Sequence, residues 1–294
     1  MSHRPRSGVR SSSGVRSNGG VAERQTARQT VELGDVQRTL FFPLAARARE
    51  TRKKRPLLRD PKAVEIVESV DFELAPITPG PTAFVVTLRT LIYDWWVRRF
   101  LAGHPDGTVV ELGTGLNTRF ERTDNGTAHW IELDLPDTIE LRRRFFADTE
   151  RRQMLAASLL DEDWLPAVEQ RPAPYFFVAD GVLAYLREED VTGMLARIAG
   201  RFPGAMIAFD TVTQMSMGQE LKMAAKRNIA PWQWACDDPR SLERLGLRLV
   251  ESVAVTRPPA GLRAELPARY RYLLPLADPV FGQRGQSLSL FLAG

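Results

Sequence analysis

From residue 108 onward, short apolar runs alternate with longer stretches in which apolar side chains recur every three or four positions. TVVEL (108 to 112), HWIELD (129 to 134), PYFFVAD (174 to 180) and AMIAFDTV (205 to 212) have the length and the Val, Ile and Phe content of buried strands. Between them, PDTIELRRRFF (136 to 146), with Pro136 in its opening turn, and REEDVTGMLARIAGRF (187 to 202) read as helices. LRLVESVAV (247 to 255) and SLSLFLA (287 to 293) add two more strands. Strands that alternate with helices in this way predict an α/β fold, doubly wound and mostly parallel, with helices on both faces of the sheet.

Upstream, residues 31 to 103 are helical and punctuated by proline: VQRTLFFPLAARARETRK, DPKAVEIVESV and FVVTLRTLIYDWWVRRFL. In the last of these Val85, Leu88, Leu91, Ile92, Trp95 and Trp96 make one apolar face, and Thr82 is a candidate N-cap. MSMGQELKMAAKRN (215 to 228), just before Pro231, reads as a helix suited to a lid. The expected organisation is therefore a helical cap at 31–103, a ligand-binding core at 104–212, a lid insertion at 213–246 and closing strands at 247–294. Residues 1 to 30 hold Ser, Gly and Arg with almost no apolar side chains, and are expected to be disordered. No run of about 18 apolar residues occurs, so no membrane span is expected, and a cytoplasmic location follows.

Composition narrows the chemistry. One cysteine, Cys236, excludes an internal disulfide and C-x-x-C sites, and three scattered histidines (His3, His104, His129) exclude H-E-x-x-H metal sites; no metal is expected. The net charge of +4 suggests a nucleic-acid partner until it is located. Six arginines against Glu23 give the first thirty residues +5, which leaves −1 for residues 31 to 294. A small-molecule partner is expected instead, with no nucleic acid and no membrane, and the oligomeric state is left open.

The strongest local motif is VVELGTGLNTRF (109 to 120), a strand that runs into G-x-G and a helix start capped by Asn117 or Thr118. Gly113 and Gly115 would let a ligand approach backbone at the carboxyl end of the strand. Nineteen residues beyond Gly115, Asp134 ends the second strand, where a carboxylate can accept both hydrogen bonds of a ribose diol. This pairing serves dinucleotides and S-adenosyl-L-methionine alike. The third glycine of G-x-G-x-x-G is replaced by Thr118, which disfavours a pyrophosphate and so a nicotinamide oxidoreductase.

LGTGLNTRF, WIELDLP, SLLDEDW (158 to 164) and VADGVLAYL (178 to 186), in that order, resemble the leucine carboxyl methyltransferase family of class I S-adenosyl-L-methionine-dependent methyltransferases, in its bacterial polyketide O-methyltransferase branch. The resemblance extends from about Val31 to Val255. It implies a seven-stranded Rossmann-like sheet, S-adenosyl-L-methionine as cofactor, and O-methylation of a small polyketide-like acceptor in antibiotic biosynthesis. It further implies that Arg89 pairs with the cofactor's carboxylate, that Gly113 and Gly115 underlie its amino acid end and that Asp134 holds the ribose. Asp161, with backbone at Ser158 and Leu159, would meet the adenine. Asp180 stands where the family usually carries Glu, beside the methylsulfonium, so its arm is one methylene short.

A phenol, with a pKa of about 10, needs a base poised near neutrality, whereas a carboxylate is already an anionic nucleophile. With no histidine at the carboxyl ends of the strands, a carboxylate acceptor giving a methyl ester is expected. A catalytic base is not assigned, and Tyr185 and Asp210 are the candidates if one is required. Arg47, Arg269 and Arg271 are candidate partners of an acidic substrate. Alternatives are a phenolic or alcoholic acceptor, the terminal carboxylate of a protein, or a non-catalytic nucleic-acid-binding protein that uses the arginine-rich tail.

Overall fold

The computed structural model describes residues 35–70, 80–227, 230–277 and 285–294; the basic tail 1–30 lies outside the described residues. Seven strands form one sheet: β1 (Thr108–Leu112), β2 (His129–Asp134), β3 (Arg152–Ala156), β4 (Tyr175–Ala179), β5 (Met206–Val212), β6 (Leu247–Val253) and β7 (Gln286–Ala293). Their order is β3-β2-β1-β4-β5-β7-β6. Every pairing from β3 through β5 is parallel, and β7 runs antiparallel to both β5 and β6. Order reverses between β1 and β4, which opens the crevice where such sheets take ligands.

Alternate strand residues point to opposite faces, and each face has its own core. Val110, Leu112, Ile131, Leu133, Phe177 and Phe209 pack on one side with α6 (Leu165–Glu169) and α7 (Glu188–Arg201). Val109, Trp130, Phe176, Val178 and Ala208 pack on the other with the long α3 (Gly80–Gly103). Leu262 and Leu266 join that second core from α9 (Ala260–Glu265) and its end. In the cap, α1 (Asp35–Thr51) and α2 (Pro61–Ser69) cover the loop after β1 together with α5 (Pro136–Arg142), through Phe41, Leu44, Ile66, Leu116 and Ile139. The segment expected to form a lid holds α8 (Gln214–Arg227), and α10 (Ala268–Leu273) precedes β7.

Three local expectations change. The seventh strand is RQMLA at β3, which the apolar pattern passes over because the strand opens with Arg152 and Gln153. The long helix begins by Gly80, so Thr82 lies within its first turn. Thr118 does precede α4 (Arg119–Thr123) but makes no cap bond; its hydroxyl donates to Asp60 Oδ2 at 2.5 Å. Among the described residues no helix is long and apolar enough to cross a membrane.

Candidate functional site

The loop after β1 is fixed from every side. Gly113 and Thr114 N–H both donate to Leu133 O (2.8 and 3.0 Å), and Gly115 N–H donates to Asp134 Oδ2 at 2.7 Å. Arg142 Nη1 donates to the carbonyls of Gly115 and Asn117 (3.0 and 2.7 Å), and Arg47 Nη2 to Leu116 O at 3.0 Å. Gly113 and Gly115 have φ of 68° and 49°, where L side chains are strained. A Cβ on Gly113 would lie 2.6 Å from a methyl of Val182, so glycine is demanded there by the loop after β4 whether or not a ligand is bound.

Asp134 carries two backbone bonds, from Gly115 N–H to Oδ2 and from Leu135 N–H to Oδ1 (2.8 Å). A carboxylate has about four lone-pair sites, so half its capacity is left for a diol. Burial pushes its pKa up from the ordinary 3.8, and the two backbone bonds only partly offset this. Ser158 and Asp161 lie in the turn after β3, where Ser158 Oγ accepts Leu160 N–H and the Asp161 side chain is exposed; Leu159 is buried in the core.

After β4 the chain turns at Asp180–Gly181. Arg89, reaching down from α3, places Nε 2.7 Å from Asp180 Oδ1. The two atoms are not aligned as a hydrogen bond, and both are buried without a hydrogen-bond partner. Burial opposes ionisation of Asp180, yet Arg89, Arg119 and Arg47 together outweigh it and hold the carboxyl below its ordinary range. Gly181 has φ of 75°, and a Cβ there would stand 2.9 Å from Arg89 Nη2. Its N–H donates to Asp210 Oδ1 at 2.7 Å. Asp210 also accepts from Tyr93 Oη (3.2 Å) and Gln286 Nε2 (2.6 Å) and is buried, so its oxygens are occupied by three donors.

Arg89 and Asp180 end a chain of ion pairs that sequence reading did not find. Arg47 pairs with Asp60 (2.9 Å), Asp60 with Arg122 (2.9 Å) and Arg122 with Asp94 (2.7 Å). Asp94 pairs with Arg119 (3.0 Å), which also meets Glu111 (2.6 Å) and Asp180 (2.9 Å). Four arginines balance four carboxylates. A second buried cluster sets Arg142 and Arg152 on Glu132. The local clue was an acidic residue, Glu111 or Glu132, set among the apolar residues of β1 and of β2.

The candidate residues thus fall into two groups. Asp134 at the end of β2 and Gly113, Gly115, Ser158, Leu159, Asp161 and Asp180 in the loops lie at the carboxyl edge of the sheet, with Arg89 entering from α3. Tyr185 follows in a short 3-10 turn (Leu183–Tyr185), where Gln233 N–H and Trp234 N–H donate to Ala184 O and Gln233 Nε2 donates to Tyr185 O. Burial raises the Tyr185 phenol above its ordinary value, despite a hydrogen bond with Trp232. Of the proposed substrate arginines, Arg47 is buried and committed to Asp60 and the Leu116 carbonyl. Arg269 and Arg271 are exposed on α10, where Arg269 lies 4.7 Å over its neighbour Tyr270 and that ring stacks on Phe84. His104 and His129 sit at the opposite, amino edge of the sheet. Among the described residues, no group of three or more His, Cys, Asp or Glu could hold a metal ion.

The sequence profile of the leucine carboxyl methyltransferase family matches residues 41–199. The tetracenomycin polyketide synthesis O-methyltransferase TcmP of Streptomyces glaucescens is 37% identical over 228 residues, covering 76% of this chain and 84% of its own. An S-adenosyl-L-methionine-dependent methyltransferase, dpfgK, of Gibberella zeae is 25% identical over 236 residues, covering 72% of this chain and 79% of its own. Among solved structures, magnesium protoporphyrin IX methyltransferase from Synechocystis PCC 6803 with bound SAH aligns over 74% of this chain and 88% of its own, at 11% identity and a TM-score of 0.46.

Proposed function

The chain belongs to the leucine carboxyl methyltransferase family, and from that premise we propose that it is an S-adenosyl-L-methionine-dependent O-methyltransferase that esterifies the carboxylate of a small, polyketide-like acid. The observation that carries the cofactor assignment is the buried, misaligned pair of Arg89 Nε and Asp180 Oδ1. An α-amino acid zwitterion inserted there gives the guanidinium a carboxylate and the aspartate an ammonium, and leaves the balanced chain of charges neutral. A dinucleotide pyrophosphate, with two negative charges, would not. Gly113 to Leu116 would lie under the amino acid end, and the free capacity of Asp134 would take the ribose.

When bound, the cofactor supplies an electrophilic methyl group on a sulfonium; alignment and exclusion of water fall to the protein. Tyr185, the 3-10 turn that carries it and the Trp232–Trp234 strap would cover the reacting end. Support for a carboxylate acceptor comes from the proton inventory. Asp210 already accepts from three donors, the Tyr185 phenol is shifted up and so further from acting as a base at neutral pH, and His104 and His129 are at the wrong edge. A carboxylate needs no proton removed. With Arg47 committed elsewhere, Arg269 and Arg271 are the proposed candidates left for contact with an acid, beside the Phe84–Tyr270 stack that suits a flat aromatic body.

The experiment is incubation with labelled cofactor and a panel of aromatic polyketide acids and phenols. A product that releases methanol in mild alkali is the expected ester. A product that resists alkali would be an ether and would overturn the carboxyl assignment while leaving the methyltransferase assignment intact.

A further inference from the structure

Arg119 is the centre of the ion-pair chain, and it does not reach the pocket. Its side chain is fully buried, and each nitrogen faces a different carboxylate: Nε donates to Asp94 (3.0 Å), Nη1 to Glu111 (2.6 Å) and Nη2 to Asp180 Oδ2 (2.9 Å). Two of these anchors lie on regular elements, Glu111 in β1 and Asp94 in α3, so the guanidinium cannot turn without breaking both. The third contact takes one oxygen of Asp180 and fixes its torsion. Backbone of the same corner is held separately, because Asp210 grips Gly181 N–H. The remaining oxygen, Oδ1, is left at Arg89 without a hydrogen bond.

We propose that Arg119 is a positioning residue for the amino acid end of the cofactor: it holds Asp180 so that Oδ1 alone faces the pocket, aimed at the ammonium. The proposal rests on the cofactor assignment above. A short aspartate that must meet a ligand at one oxygen gains from having the other tied down, since little rotamer freedom is then lost on binding. Lysine in place of Arg119 keeps a positive charge but has no planar fork, so it cannot hold three carboxylates at three fixed directions.

The test compares two ligands in the full chain by calorimetry: S-adenosylhomocysteine, which has the amino acid end, and 5′-methylthioadenosine, which lacks it. Arg119→Lys should weaken S-adenosylhomocysteine about tenfold and leave methylthioadenosine within about twofold. In an Asp180→Asn background the same change should add nothing further. Equal weakening of both ligands would mean a purely structural role, and no weakening would mean none; either overturns the positioning role. Should Arg119→Lys not fold, Glu111→Gln loosens the same guanidinium from behind without touching Asp180. A selective loss there supports the proposal, and a uniform or absent loss overturns it. Failure of the wild-type chain to bind S-adenosylhomocysteine at all would instead overturn the cofactor assignment.

Discussion

Arg89 Nε and Asp180 Oδ1 stand 2.7 Å apart and buried, close enough to neutralise one another but not aligned to share a proton. An ion pair held in this way is a poor hydrogen bond waiting for better partners. Arg89→Ala is expected to weaken S-adenosylhomocysteine binding by about tenfold or more, as loss of a charge-assisted contact does. It should also destabilise the free protein by roughly 3 kcal/mol, because one partner of a buried pair is left behind. The double change Arg89→Met with Asp180→Asn, whose amide oxygen can still accept from Arg119, should recover part of that stability and none of the binding, which thermal melts and calorimetry together would read.

Gly181 tests the same pocket without removing a charge. At φ 75°, with Arg89 Nη2 only 2.9 Å from where a new Cβ would stand, Gly181→Ala must strain the turn and displace the guanidinium. The expected cost is about 1–3 kcal/mol in stability, with weaker binding of S-adenosylhomocysteine than of methylthioadenosine. Gly126, whose Cβ would meet nothing within 4 Å, shares the positive φ and serves as the control: Gly126→Ala should strain its own turn and leave ligand binding unchanged.

Arg142 should matter to both fold and site. It is buried, pairs with Glu132 at 2.6 Å and holds the carbonyls of Gly115 and Asn117. Arg142→Ala is expected to cost roughly 3–5 kcal/mol, the penalty for breaking a buried ion pair, although Arg152 still faces Glu132. A denaturant titration checks the magnitude.

Acid should act on ligand binding before it acts on the fold. In Asp60, Asp94, Glu132 and Asp180 burial opposes ionisation, but neighbouring arginines outweigh it, so each titrates below its ordinary value of 3.8, or 4.5 for the glutamate. The unfolded chain therefore takes up protons first as pH falls, and this stability is complete above about pH 5 and is lost progressively as pH falls below about 4 through the depressed folded-state values. Asp134 has the opposite sign: burial lifts it above 3.8, so it becomes protonated at a higher pH than the others. Affinity for S-adenosylhomocysteine should begin to fall on acidification while thermal melts are still unchanged, and Asp134→Asn should remove that early phase. Coincident loss of binding and of structure would contradict it.

What could be read from the chain alone is what is encoded by neighbours in sequence. TVVEL and HWIELD are apolar over strand length, and two glycines followed by an acid nineteen residues on place Gly113, Gly115 and Asp134 at the ends of β1 and β2. Those features depend on backbone freedom and burial of a single element, which composition reports directly. The third strand escaped because it lies at the edge of the sheet and opens with Arg152, whose guanidinium lies over the Phe120 and Phe146 rings while it pairs with Glu132.

The tertiary structure alone decided how the charges are used. Arg47 reads from sequence as a cap arginine free for a substrate, yet it is sealed under the loop after β1 by Asp60. Arg119 and Asp180 are 61 residues apart, and Arg122 and Asp60 are 62. A charged side chain looks the same in a sequence whether it faces water or a distant carboxylate, because its burial is set by which elements pack over it. The chain specified the sheet and the corner proposed to take the nucleoside through local pattern; the packing of α1 and α3 over that corner turned scattered arginines and acids into its support.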